Sequence, residues 1–185
     1  MPARNLLDKI IVVDLEATCW QVEPPPGEES EIIEIGLCLL DVTSGHREFK
    51  QSILVRPERS TVSAFCTRLT TLTAEDVAQG ISFADACNIL RQECGGPKRV
   101  WASYGDYDRR QLQRQCEERG VPYPFGFTHI NIKNLAGLML RLDHEVSLPQ
   151  ALSYFGWELE GTYHRGSDDA WNAARLLSVL LWGRR

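Results

Sequence analysis

The run IIVVDLEATC (10–19) places two carboxylates, Asp14 and Glu16, inside one of the most apolar stretches of the chain. Side chains alternate along a strand, so both acids face one way, with Ile10 and Val12 behind them. Like charges on one face repel, and a buried carboxylate is costly unless something pairs with it. An arginine, a helix N-terminus or a metal ion would each relieve the pair, and hard oxygen ligands suit Mg²⁺ or Mn²⁺. The spacing alone fits a frayed strand end with both acids in water equally well. Acids elsewhere in the chain bear on the choice.

Two segments supply them. In HRGSDDAWNAARLLSVLLW (164–182), a helix starting near Ser167 puts Asp169 on an apolar stripe with Ala173, Leu176 and Leu180. Asp168 shares its face with Asn172 and Arg175. Asp169 is therefore the acid aimed inward and Asp168 the solvated one. The plainer reading makes Ser167 the N-cap and both acids partners of the positive helix end. His164, five residues before Asp169, has the ionisation range of a general base if held beside that carboxylate. In ASYGDYDRRQL (102–112), Asp106 fits an N-cap, whereas Asp108 lies on a stripe with Leu112 and Cys116. Asp108 is the preferred functional acid. Arg109 and Arg110 are either solvated helix charges or phosphate contacts. Glu34, in EIIEIG, reads as a structural acid that bonds backbone or a site residue.

The elements that position these groups follow from periodicity. Residues 9–15, 31–42 and 46–55 read as strands, the last two joined by a turn at 43–45. Short helices follow at 63–69 and 73–80, the second with Thr73 and Asp76 as an acidic capping box. A longer helix spans 82–96 and ends in a diglycine. Strands at 99–104 and 127–132 bracket a polar helix at 106–120. Helices near 132–141, 147–155 and 167–182 complete the chain. VEPPPGEES (22–30) reads as an exposed, mobile loop. Strands first, then alternating helices and strands, predict an α/β fold: a mixed five-stranded sheet with helices on both faces.

Composition narrows the function classes. The 185 residues, 43% apolar and 24% charged, fit one globular domain, 1–185, with its core at about 9–182. Six cysteines form no CxxC pair and four histidines are scattered, which argues against zinc. MPARNLLDKI has no signal-peptide core, and no apolar run reaches the ~20 residues of a membrane span. A cytoplasmic location with reduced thiols is the expectation. A net charge of −5 argues against coating nucleic acid by bulk charge, though not against gripping one end. The first strand is not followed by GxGxxG, which argues against a dinucleotide-binding enzyme.

VVDLEAT, YDRRQL and HRGSDDAWNAA resemble, in order, the three motifs of the DEDDh (DnaQ-like) 3′–5′ exonucleases on the ribonuclease H-like fold. DLEATCW…EIIEIG and VRPERSTVSAFCTRLTTLT resemble the branch that processes histone-mRNA 3′ ends and regulates RNA interference, and its bacterial members. The resemblance implies two divalent ions, Mg²⁺ or Mn²⁺, held by Asp14, Glu16, Asp108 and Asp169, with His164 as general base. It implies a terminal-nucleotide pocket from the backbone at Ala17 and Thr18 and the apolar Phe65 and Leu69. The expected substrates are single-stranded or overhanging 3′ ends, RNA favoured, cut to nucleoside 5′-monophosphates. A DNA-directed exonuclease and a non-catalytic RNA-binding module are the alternatives. Two departures stand out: Thr71 where relatives commonly carry Gly, and Arg109 where they often place an apolar residue. The five tryptophans, Trp20 and Trp182 among them, are candidates for base stacking, with buried packing or a partner surface the first expectation for most.

Overall fold

The computed structural model describes residues 6–183. Among them, five strands form one sheet: β1 (Leu6–Ala17), β2 (Ile32–Asp41), β3 (Arg47–Leu54), β4 (Arg99–Ser103) and β5 (His129–Asn131). Their order is β3-β2-β1-β4-β5. The first three strands are joined antiparallel, whereas β4 lies parallel to β1 and β5 parallel to β4. The mixed sheet matches the expectation from element order, and strand ends move by a few residues. Seven helices accompany it: α1 (Ala64–Thr70), α2 (Ala74–Ala78), α3 (Phe83–Gln92), α4 (Tyr107–Arg119), α5 (Ile132–Leu140), α6 (Leu148–Ser153) and α7 (Gly166–Trp182). None is long and apolar enough to cross a membrane.

The two faces of β1 feed two cores. Ile10 and Val12 pack with Ala170, Ala173, Ala174 and Leu177 of α7 and with residues of α5 and α6. Ile11, Val13 and Leu15 pack with Phe83 and Leu90 of α3, Leu112 of α4 and Trp101 of β4. Burying each Ile, Val, Leu or Phe among these stabilises the fold by about 1.5–3 kcal/mol. Asp14 and Glu16 continue the α7-facing register, so the period-two argument puts both at the mouth between β1 and α7.

The Pro-rich loop is anchored more firmly than its composition predicts. Its stretch from Val22 to Gly27 is exposed. Glu28 accepts the Thr61 N–H at 2.9 Å, and the Glu29 N–H donates to Ser60 Oγ at 3.0 Å. Arg119 of α4 pairs with Glu31, Glu29 and Glu58. Composition shows where chain leaves the core; it does not show which acids find a cation.

The approach of α7 to the sheet rests on two glycines. Gly36 of β2 lies opposite Asp14 in the β1–β2 ladder. A Cβ placed on it would sit 1.8 Å from the carbonyl carbon of Gly166, the first residue of α7. A Cβ on Gly166 would meet the Gly36 nitrogen at 3.0 Å. Backbone cannot yield as a side-chain tip does, so Gly36→Ala is expected to cost roughly 3 kcal/mol or more. Gly137→Ala, in open space within α5, is the control and is expected to stabilise by about 0.5–1 kcal/mol. Urea unfolding of both variants checks the pair; equal stabilities would contradict the packing argument.

Candidate active site

Asp14, Glu16, Asp108, His164 and Asp169 all line one cleft of about 350 Å³, although they come from β1, α4, α7 and the loop before α7. Asp108 arrives because β4 stops short. The parallel ladder between β1 and β4 runs to Val12 and Ala102, after which the chain turns into α4. The N–H of Leu15, beyond that ladder, donates instead to Asp108 Oδ1 at 2.9 Å. Asp169 points inward from the first turn of α7 and is 3% exposed. Its Oδ2 accepts the backbone N–H of His164 at 2.9 Å. Its Oδ1 is buried and has no hydrogen-bond partner among the described residues. One ligand atom each from Glu16, His164 and Asp169 lies within 4.8 Å of the others.

His164 sits in a left-handed conformation, φ 62°, which an L residue adopts only when its surroundings enforce it. Its ring lies against Tyr163, centroids 3.9 Å apart. Burial pushes the imidazole below its ordinary range, so it is neutral near pH 7 and able to take up a proton.

The carboxylates are crowded. Burial pushes Asp14 well above the usual range, and the charges of Asp108, Glu16, Asp169 and Glu34 push further. Glu16 is raised to about 8, by burial first and then by Asp169, Glu34 and Asp108. Burial raises Asp108 to about 7 against the opposing Leu15 N–H. It raises Asp169 to about 7 against the His164 N–H. Repulsion within a set of hard oxygen donors, with one buried oxygen left unbonded, is what a divalent cation would relieve. The residues present fit such an ion.

Glu34, read from the sequence as a structural acid that bonds backbone or a site residue, does so at Arg165 and Gly166. Wholly buried, it accepts from Ser52 Oγ at 2.5 Å, Arg165 Nε at 3.2 Å and the Gly166 N–H at 3.0 Å. It therefore holds the two residues that follow His164. Arg165 also donates to Thr71 Oγ1 at 3.4 Å. Thr71 takes the left-handed turn, φ 64°, at the end of α1, the conformation in which a glycine would be unstrained.

Several expectations need correction. Asp106 occupies the N-cap position of α4 but makes no cap bond, because Arg109 and Arg110 hold its carboxylate. The N-cap of α7 is Arg165, not Ser167. Asp168 is not simply solvated: it pairs with Lys50 at 2.5 Å and accepts the Thr162 N–H at 2.7 Å. Ala17 and Leu69 line the cleft, whereas Phe65 lies beside Leu69 on an adjoining hollow. Thr18 is buried, and its N–H is taken by the Glu31 carbonyl at 2.8 Å. Lys133, Tyr104 and Tyr163 also line the cleft. Sequence reasoning missed them because no spacing ties a lone lysine or tyrosine to distant acids; the aromatic beside His164 was the one available signal.

Residues 11–177 match the RNase_T family, described as Exonuclease. The chain belongs to that family. It is 30% identical over 195 residues to the 3′-5′ exonuclease Snipper of Drosophila melanogaster, covering 93% of this chain and 69% of that protein. It is 30% identical over 189 residues to human 3′-5′ exoribonuclease 1, covering 97% of this chain and 54% of the relative, about half its length. The nuclease domain of 3′hExo, a DEDDh family member bound to rAMP, superposes with a TM-score of 0.82 at 30% identity, covering 97% and 94% of the two chains. A 3′-exonuclease in 3′-end-specific recognition of histone mRNA stem-loop gives 0.83 at 28%, covering 96% of this chain and 65% of its own.

The four raised carboxylates set the sign of a pH dependence against two half-buried histidines, His129, lowered to about 4, and His164, which act in the opposite sense. Between about pH 4 and 8 the carboxylates retain protons in the folded chain that the unfolded chain has released. Metal-free protein is therefore expected to lose stability as pH rises through that window. Asp8, lowered to about 2 by Arg99, acts below it. Thermal unfolding in EDTA at pH 5 and pH 8 reads the slope. Mn²⁺ is expected to raise the midpoint more at pH 8, and Asp14→Asn to flatten the slope; a midpoint rising with pH in EDTA would contradict the assignment.

Proposed function

We propose that residues 1–185 act as one exonuclease domain that removes nucleoside 5′-monophosphates stepwise from single-stranded or overhanging 3′ ends, with RNA favoured over DNA. The observation that carries this reading is the convergence of four carboxylates with raised pKa and a neutral histidine in one cleft. Family membership and the exoribonuclease names of relatives support it, as does a structural neighbour bound to rAMP.

In this reading Asp14, Glu16, Asp108 and Asp169 hold divalent metal, two ions of Mg²⁺ or Mn²⁺ per site. When bound, such ions neutralise the carboxylates and stabilise negative charge on phosphodiester oxygens. His164 accepts the proton of the attacking water through its neutral imidazole. Asp169 and Glu34 hold the backbone on either side of that ring, through the N–H groups of His164 and Gly166. The water oxygen bonds to phosphorus, the P–O3′ bond breaks, and O3′ takes a proton from solvent, so that the shortened strand leaves with a new 3′ hydroxyl and the terminal nucleotide as a 5′-monophosphate. Ala17 and Leu69 wall the terminal nucleotide, with Phe65 at the outer edge and Thr18 supporting the turn behind Ala17.

Asp14→Asn and Asp169→Asn are expected to abolish Mg²⁺- or Mn²⁺-stimulated shortening of a 5′-labelled single-stranded RNA while keeping the far-UV spectrum. His164→Ala is expected to lower the rate by about 10²–10⁴-fold. A ladder that persists in both aspartate variants would refute the assignment. Glu34→Gln keeps two acceptor bonds and is expected to lose less activity than Glu34→Ala; equal losses would remove its positioning role. Matched RNA and DNA oligomers test the preference, and faster DNA digestion would reverse it.

A further inference from the structure

A second and larger cleft, about 620 Å³, lies along the outer face of α7. Its walls are aromatic and cationic. Phe155 and Trp157 stack at 5.1 Å, and the Arg175 guanidinium lies 4.0 Å over Trp157. The Arg47 guanidinium lies 4.3 Å over Trp171, and Trp182 closes the far end. Glu160 locks this arrangement, accepting from Arg47 at 3.1 Å, Arg175 at 3.0 Å and Trp171 Nε1 at 2.8 Å. One carboxylate against two guanidiniums leaves the wall cationic, in a chain whose net charge is −5.

We propose that this cleft is a second nucleic-acid site, which takes the bases of a single strand several nucleotides upstream of the end held in the acid cleft. This rests on the exonuclease reading for the polarity of the strand. Aromatic faces interleaved with guanidinium planes are a base-stacking platform that tolerates any sequence. The locking by Glu160 means that the rings and cations are ordered before a ligand arrives. The placement also fits. Asp168, Trp171, Arg175 and Trp182 form one ridge at helical spacing, starting beside Asp169 and running about 21 Å along α7. A dinucleotide in the acid cleft does not span that ridge, whereas an octamer does. Lys50, 6.0 Å from the Trp171 ring and paired with Asp168, stands between the two clefts as a phosphate contact.

Three of the five tryptophans line this cleft, so intrinsic fluorescence reports on it directly. The intact chain is titrated in EDTA with an adenosine RNA octamer and with the dinucleotide ApA, and hydrolysis of both is then followed in Mn²⁺. The octamer is expected to quench the emission and ApA to leave it unchanged. Arg175→Glu is expected to weaken octamer binding about fivefold or more. His46→Glu, on an exposed wall residue and therefore expected to fold as the parent does, is expected to act in the same direction. Both variants should hydrolyse ApA within about twofold of the parent. Octamer binding within about twofold of the parent in both variants overturns the proposal, as does a parallel loss of ApA hydrolysis in His46→Glu. A parent that binds the octamer but hydrolyses neither RNA would instead remove the exonuclease reading.

Discussion

Everything in the acid cleft depends on how near a helix can come to a sheet. Packed helices and strands normally keep side chains between them, which would hold the first turn of α7 away from β1. Gly36 and Gly166 remove that layer at one point, directly beside Asp14 in the β-ladder. The helix N-terminus then drops onto the strand pair and brings Asp169 and His164 to the carboxylates of β1. Neither glycine touches the cluster through a side chain, since neither has one. The cluster exists because two Cβ atoms are missing elsewhere.

The second constraint is charge. Asp14, Glu16, Asp108 and Asp169 crowd one cleft, and the fold supplies only partial relief through the Leu15 and His164 N–H groups. Arg165, which directly follows His164, is drawn off by Glu34. The fold thus leaves this electrostatic tension in a cleft where a divalent ion has access to it. Glu31 and Glu160, by contrast, are paired, the first by Arg119 and the second by Arg47 and Arg175. The contrast separates the two kinds of acid in this chain better than burial does.

Much of this was legible in the sequence. Strand periodicity put Asp14 and Glu16 on one face, and helical stripes distinguished Asp169 from Asp168 and Asp108 from Asp106. Both rules work because burial repeats along an element. What escaped were contacts between distant elements. The bond from Asp108 to Leu15 depends on where β4 ends, and the pinning of the Pro-rich loop depends on where Arg119 of α4 reaches. The grip of Glu34 on Arg165 and Gly166 joins residues more than a hundred positions apart. The capping box of Thr73 and Asp76 was legible, whereas the cap of α7 falls at Arg165 rather than Ser167, and Asp106 sits at the N-cap of α4 without a cap bond because neighbouring arginines compete for its carboxylate.

The turn at Thr71 has a mechanical side. Its hydroxyl is the far end of a strut running through Arg165 to Glu34, so the helix carrying Leu69 is tied to the loop carrying His164. A glycine there would ease the backbone and cut the strut. With threonine, the two walls of the cleft share one direct side-chain contact, and a shift of α1 is felt at the loop that carries His164.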